Sequence, residues 1–174
     1  MARYDPNHHH RRSVRLRGHD YSDAGLYFVT ICTARREPVL GKVRDDRVCL
    51  SDLGNLIAAE WMALPGRFPT IALDACVVMP DHLHGIIMLG AVPLDERNQG
   101  PSASSPTLGQ VIGVFKSVSG IAANRVSGRS GASFWQRDYY ERIIRDDAML
   151  DHARRYIETN PARWAADDRP RPTP

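Results

Sequence analysis

The spacing of apolar residues along the chain predicts a mixture of strands and helices. Stretches rich in aromatic and β-branched residues predict buried strands at 26–33, 47–50, 71–79 and 82–89, and an extended segment at 134–145. Apolar residues at helical spacing predict three helices, with Ser51, Thr107 and Asp146 as their N-caps. The first helix should run to about Leu64, and Asn160-Pro161 should end the last one. Residues 34–46 are predicted to be a polar connection.

The order of these elements indicates the fold class. The order is strand, strand, helix, hairpin, helix, strand and helix. This order favours an α+β fold over a doubly wound fold, with a mainly antiparallel sheet and helices packed on it. Residues 1–24 are predicted to be a basic arm, residues 25–164 a single domain and residues 165–174 a disordered tail. Residues 91–106 are rich in Pro, Ser and Gly and predict a flexible loop.

Charge is concentrated near the ends of the chain. The 174 residues carry a net charge of +3, and residues 1–19 alone hold five arginines against one aspartate. Such an arm favours an anionic partner such as nucleic acid, although solvated termini are often basic without binding anything. No apolar run is long enough to span a bilayer, so a cytoplasmic protein without membrane contact is expected. Neither a phosphate loop nor a GxGxxG motif is present, which predicts chemistry without ATP.

Two histidines in "VVMPDHLHGII" (77–87) carry the first functional signal. Side chains alternate along a strand, so His82 and His84 should share one face while Leu83 points to the other. Their Cβ atoms would lie roughly 6–7 Å apart, close enough for both rings to bind one metal ion. The alternative is that both are hydrogen-bonded core residues or lie on a solvated sheet face.

The last predicted helix carries the second signal. His152, Tyr156 and Asn160 are spaced four residues apart and so lie nearly one above another. Tyr156 could act as a metal-assisted nucleophile, with Asn160 as an oxygen ligand. Alternatively, Tyr156 belongs to the apolar stripe, and Asn160 is a C-cap ahead of Pro161.

Taken together, these residues resemble the HUH single-tyrosine transposases, named for two histidines around a hydrophobic residue. The closer resemblance is to the REP-associated tyrosine transposase branch of the insertion-sequence-200-like group. The stretches that carry it are "YFVTICTARREPVLG" (27–41), "VVMPDHLHGIIML" (77–89), "FKSVSG" (115–120), "FWQRDYYERIIRD" (134–146) and "RRYIETNPARW" (154–164). One mild departure is Ala162, where family members commonly have valine.

The resemblance implies a ferredoxin-like or RRM-like HUH nuclease sandwich. It further implies that His82, His84 and Asn160 bind a divalent metal (magnesium or manganese), and that Tyr156 attacks single-stranded or hairpin DNA to form a 5′-phosphotyrosine intermediate. Imidazole is a softer ligand than Mg²⁺ usually takes, so Mn²⁺ should bind better. His152 could orient Tyr156 or shuttle its proton.

Basic residues are expected to contact the DNA backbone, which makes the affinity fall with salt. We predict this role for Arg11, Arg12, Arg15, Lys116, Arg137, Arg142, Arg154 and Arg155. Trp135, Tyr139 and Tyr140 could stack on unpaired bases, and each could equally be a core residue. Tyr139 and Tyr140 are also competing candidates for the nucleophile.

Two other functions are compatible with the sequence. One is a domesticated protein that binds repeat hairpins with little or no turnover. The other is a metal-dependent phosphoesterase that uses water in place of tyrosine. Either a monomer or a homodimer that exchanges tyrosine helices is compatible with the resemblance. DNA binding would place the protein at the nucleoid.

Overall fold

Four strands form an antiparallel sheet. The structure, a computed structural model, describes residues 24–91, 106–129, 131 and 133–164, and the backbone of residues 165–167. The strands are β1 (Gly25–Cys32), β4 (Ile71–Val78), β5 (His82–Leu89) and β6 (Tyr140–Ile144), in the spatial order β4-β5-β1-β6. Every neighbouring pair is antiparallel. The predicted α+β class is therefore confirmed.

The remaining elements in the described part of the chain are a small hairpin, four α-helices and a short 3₁₀ turn (Ala34–Arg36). The hairpin pairs β2 (Gly41–Arg44) with β3 (Arg47–Leu50). The helices are α1 (Asp52–Met62), α2 (Leu64–Arg67), α3 (Leu108–Val126) and α4 (Asp147–Asp167). Among the helices described, we find none with the length and apolar character that a bilayer span requires.

The two faces of the sheet bury different helices. On one face, Val29 and Leu83 belong to a large core with Trp61 of α1 and Phe115 of α3, whose rings meet edge to face at 5.3 Å. On the other face, Ile86 and Ile144 pack with Ala153 and Ile157 of α4. Because β5 contributes to both cores, consecutive residues of this strand face opposite helical layers.

The three predicted N-caps are confirmed. Ser51 Oγ accepts a hydrogen bond from the Gly54 amide at 3.1 Å, and Asp146 Oδ1 accepts one from the Met149 amide at 2.7 Å. Thr107 forms a complete capping box with Gln110, in which each side chain accepts from the other residue's backbone amide. Each cap satisfies amides that have no acceptor within their own helix.

Three predicted boundaries are wrong. The connection 34–46 contains β2, because its residues pair with β3. Within the extended segment 134–145, only Tyr140–Ile144 pairs as a strand. α4 continues through Pro161 to Asp167, so the start of the segment predicted to be a disordered tail is helical. Proline removes one helical hydrogen bond, but Asn160 and Pro161 are both buried, and this packing keeps the helix intact.

An ion pair attaches α4 to the edge of the sheet. The register of β4 shifts between Leu73 and Cys76, and Asp74 lies in this irregularity. Its carboxylate accepts from Arg154 Nε at 2.9 Å and from Arg154 Nη2 at 2.6 Å, a two-point contact. This hydrogen bond is the main reason why the pKa of Asp74 is lowered.

We predict that the stabilisation by this pair depends on pH. A carboxyl group with a lowered folded-state pKa stabilises the protein above its unfolded-state pKa, and this contribution disappears as the pH falls through the folded-state pKa. Asp74→Asn should therefore lower the melting temperature at pH 7 and leave it unchanged at a pH below the folded-state pKa of Asp74. Thermal unfolding of both proteins from pH 7 downwards measures this difference. A deficit that stays constant across the range would contradict the electrostatic role.

Candidate active site

The two histidines of β5 converge at one point. His82 and His84 are 6% and 5% exposed, and Leu83 between them belongs to the opposite core. Their Nε2 atoms lie 3.0 Å apart, with ring centroids at 4.5 Å. Two adjacent ligands of an octahedral ion at ~2.1 Å from the metal would be separated by about 3 Å, so this spacing fits a shared divalent ion. The rings lie on the face that carries α4.

Each histidine is held by a hydrogen bond at its other nitrogen. His82 Nδ1 lies 2.5 Å from Asp81 Oδ1, and because a carboxylate can only accept, His82 donates. His84 Nδ1 lies 2.8 Å from Thr30 Oγ1, which can accept in the same way. This arrangement leaves the Nε2 lone pairs available for a metal ion.

Sequence reasoning missed both partners of the histidines. Asp81 directly precedes His82, so its place in the Pro-Asp-His-Leu-His run was an available signal. Thr30 is opposite His84 in the pairing of β1 with β5, a contact that requires the register of the sheet. Arg36 was missed as well, and its Nη1 lies 3.5 Å from Asp81 Oδ2.

Burial keeps both rings neutral. It lowers the pKa of His84 to about 3, and the repulsion that a protonated His84 would experience from His82 and from Arg36 acts in the same direction. Burial also lowers the pKa of His82, although the neighbouring Asp81 carboxylate opposes this shift. Neutral imidazole is the form that binds metals.

Tyr156 lies beside the histidine pair in the same chain. Its ring centroid is 5.2 Å from that of His84 and 5.9 Å from that of Phe28, both at edge-to-face angles. The guanidinium of Arg163 lies 5.3 Å from the centre of the Tyr156 ring. The half-buried tyrosine therefore lies between the buried histidines and the solvent-facing side of α4.

Asn160 occupies the next turn of α4. It is buried, and Trp164, one turn further on, places its ring 5.8 Å from that of His82. Because Tyr156 contacts His84 and Trp164 contacts His82, helical periodicity places Asn160 between them, over the histidine pair. Its position inside the helix rules out the alternative of a C-cap.

A cavity of about 930 Å³ opens beside this cluster. Tyr156, His84 and His152 are among the residues that line it, and Arg36 and Arg142 contribute positive charge. His152 is exposed and lies one turn before Tyr156, on the same wall. The structure thus brings the predicted nucleophile, one histidine ligand and the candidate proton carrier to a single opening.

The predicted DNA-binding residues are distributed unevenly. Arg142 lines the cavity, and Arg155 is exposed on α4. Arg154 is engaged by Asp74, and the amino group of Lys116 donates to the carbonyls of Gln136 and Arg137 at 2.6 and 2.7 Å. The Arg137 side chain is exposed near Lys116. Arg11, Arg12 and Arg15 lie outside the described residues.

The three aromatic candidates have different environments. Trp135 is a core residue whose Nε1 donates to Ser119 Oγ at 3.0 Å. Tyr139 is half-buried and packs against the large core. Tyr140 is 46% exposed and lines the cavity.

The ligand set for a metal ion is small. In the described ranges, no group of three or more His, Cys, Asp or Glu side chains is arranged to hold one. The predicted set, His82, His84 and Asn160, could bind an ion that is completed by water or substrate oxygens. A set with open positions is typical of catalytic metal sites.

Similarity to other proteins agrees with these observations. No protein-family model matches the chain. An uncharacterized protein of Haemophilus influenzae is 36% identical over 175 residues, which cover 95% of this chain and 96% of that protein. The chain belongs to the same family as that protein. A candidate REP-associated tyrosine transposase of H. influenzae is 26% identical over 144 residues, 83% of this chain and 74% of the relative.

A solved structure shares the fold. It is that of a REP-associated tyrosine transposase bound to a REP hairpin, with a TM-score of 0.58 and 18% identity, over 94% of this chain and 74% of that one. The resemblance to the REP-associated tyrosine transposases is confirmed.

Asp81 should be required for tight metal binding. Asp81→Ala removes the acceptor that orients His82, and loss of such an outer partner typically weakens metal binding by about 10- to 100-fold. Titration calorimetry with Mn²⁺ measures the effect, with Asp151→Ala, an exposed carboxylate of α4, as the matched control. Equal affinities of the two variants would contradict the orienting role.

Proposed function

We propose that this protein is a metal-dependent tyrosine transposase that nicks and rejoins single-stranded or hairpin DNA through a 5′-phosphotyrosine intermediate. The observation that carries this proposal is the position of the Tyr156 ring, 5.2 Å from His84, whose Nε2 converges with that of His82. If Tyr156 had only a packing role, nothing would require two buried, neutral imidazoles to direct their Nε2 atoms to one point beside its ring.

His82, His84 and Asn160 would hold the ion, and the softness of two imidazole ligands favours Mn²⁺ over Mg²⁺. When bound, a divalent ion polarises the scissile phosphate and stabilises the charge on its oxygens. Asp81 and Thr30 hold the two rings in the tautomer that binding requires. The ring of Trp164 lies 5.8 Å from that of His82 and would limit the access of water on that side.

Tyr156 supplies the nucleophile. Its hydroxyl oxygen forms a bond to the phosphorus while the bond from phosphorus to the 3′-oxygen breaks. The phenolic proton passes to His152 or to water, and the 3′-oxygen leaves with a proton as a free hydroxyl. The phosphotyrosine bond replaces the phosphodiester, so attack by a 3′-hydroxyl reverses the step and joins strands without ATP.

The cations around the opening suit DNA. Arg142 lines the cavity and Arg155 is exposed on α4, and the sequence carries five further arginines within residues 1–19. The structural neighbour carries a hairpin, which supports hairpin DNA as the substrate class. Binding through phosphates would weaken with salt and would place the protein at the nucleoid.

A labelled hairpin with a single-stranded extension tests this proposal. Incubation with Mn²⁺ should produce a nicked strand and a covalent protein–DNA band that survives denaturation, and both should be missing with a chelator or in Tyr156→Phe. Nicking without a covalent band would indicate the water-using phosphoesterase. Intact DNA together with salt-sensitive binding would indicate the hairpin-binding protein without turnover.

Mixing two inactive variants distinguishes a monomer from a helix-exchanged homodimer. Because one chain places Tyr156 beside its own His84, we expect cleavage in cis. A mixture of Tyr156→Phe and His84→Ala should then stay inactive. Recovery of nicking in the mixture, at concentrations where each variant alone is silent, would show that the tyrosine acts on the partner's site.

A further inference from the structure

The cavity beside Tyr156 extends over a part of the sheet that α4 leaves open. Its floor comes from β1 and the edge strand β6, and its wall comes from the first turns of α4. Phe28 is opposite Arg142 and Thr30 is opposite Tyr140 in the pairing of these strands. All four side chains therefore face the same side of the sheet as His84.

This floor combines an exposed aromatic ring with a cation. Tyr140 is 46% exposed, and Arg142, two residues further along the strand, is exposed as well. An exposed ring offers a stacking surface to any base, and a guanidinium can bind a phosphate at two points. Gln136 and Asp138 also line the cavity and offer a donor and acceptors for the edge of a base.

The size of the cavity fits a nucleotide. Its volume of about 930 Å³ is near the upper end of the ~300–1,000 Å³ that is typical of small-ligand sites. Tyr156 and His84 line the same cavity as Tyr140 and Arg142. A base inside a duplex could not stack on the ring of Tyr140, because the neighbouring base pairs cover both of its faces.

We propose that this cavity is a subsite for one unpaired nucleotide next to the scissile phosphate, with its base stacked on Tyr140 and a phosphate at Arg142. The identity of the ligand rests on the proposed function, whereas the subsite itself can be tested without catalysis. The subsite makes the enzyme selective for DNA that is single-stranded beside the cleavage position. It gives Tyr140 a binding role and leaves Tyr156 as the nucleophile.

Binding measurements with a non-cleaving protein test the proposal. The parent protein is Tyr156→Phe in a chelator, and the probe is a fluorescent hairpin with a single-stranded extension of four thymidines. The blunt hairpin and four probes with one abasic position each serve as comparisons. We expect the extension to tighten binding, and one abasic position to weaken it by about 5- to 150-fold, the range expected when one stacked base is lost.

Variants of the cavity residues test whether this loss of affinity arises at the proposed subsite. Tyr140→Ala should weaken binding of the extended hairpin by the same factor as the abasic position to which the parent is most sensitive. The probe with that abasic position should then bind to Tyr140→Ala no worse than the intact probe does. Tyr140→Phe should behave like the parent. Arg142→Gln should weaken binding of the extended hairpin and reduce its salt dependence, whereas Arg67→Gln, on the opposite side of the sheet, should do neither.

Three outcomes would overturn the subsite. In the first, the parent binds the blunt and the extended hairpin equally well. In the second, Tyr140→Ala remains as sensitive to the abasic positions as the parent. In the third, Tyr140→Ala weakens binding of the blunt hairpin as much as binding of the extended one. Each of these outcomes is compatible with adduct formation at Tyr156. Conversely, a positive result in the chelator would stand even if no adduct formed, so failure of the subsite and failure of the proposed function can be told apart.

Discussion

His84→Ala is expected to reduce metal-dependent nicking by at least about 100-fold, because it removes an inner ligand, and loss of even an outer partner costs about 10- to 100-fold. His82→Ala should have a similar effect, since the two Nε2 atoms point to one site. Hairpin binding should be nearly unchanged in both variants, because the predicted contacts with the phosphates come from other residues. Gel-based nicking assays and fluorescence titrations with the same hairpin measure both quantities.

The control for this prediction concerns folding. His84 is buried, so its replacement leaves a small space next to Phe28 and Tyr156. Thermal unfolding establishes whether the variant is folded at the assay temperature, and His84→Asn, which retains a polar side chain, provides a second test. A folded His84 variant that nicks DNA at the wild-type rate in Mn²⁺ would contradict the assignment of the metal site.

Gly85→Ala is expected to destabilise the protein by about 1–3 kcal/mol, the usual cost of overfilling a packed core. A Cβ atom on Gly85 would lie 2.3 Å from Cζ2 of Trp61, which is fully buried on the other face of the sheet. Since Gly85 directly follows His84, the resulting displacement of β5 should also weaken Mn²⁺ binding. Chemical denaturation and calorimetry measure the two effects.

A second glycine provides the matched control. Gly113 lies within α3, and nothing lies within 4 Å of the Cβ atom that Gly113→Ala would add. This substitution should leave metal binding unchanged and stabilise the protein by up to about 1 kcal/mol, because alanine is a better helix former than glycine. Equal stability changes in the two variants would show that the space around Gly85 does not constrain β5.

Local patterns predicted much of the fold. Capping residues and apolar spacing depend on neighbours in sequence, so Ser51, Thr107 and Asp146 could be assigned correctly from sequence alone. Strand alternation likewise predicted that His82 and His84 share a face, and the opposite burial of Leu83 agrees with it. The helical spacing of Tyr156 and Asn160 placed both residues on one face of α4.

The features that sequence missed depend on contacts between distant segments. Thr30 and His84 are 54 residues apart and meet through the register of β1 and β5. Lys116 and Arg154 both looked available for DNA, but each has a partner within the protein that no local pattern indicates. Pro161 was expected to end α4, because local propensity does not include the tertiary packing that overrides it.

Covalent attachment of Tyr156 to DNA is the step on which the proposed function depends. The most direct measurement is peptide mapping of the protein–DNA adduct that forms in Mn²⁺, by mass spectrometry after nuclease and protease digestion. We predict a nucleotide 5′-phosphate on Tyr156 and on no other tyrosine. A modification on Tyr139 or Tyr140, or nicked DNA without any modified tyrosine, would contradict it.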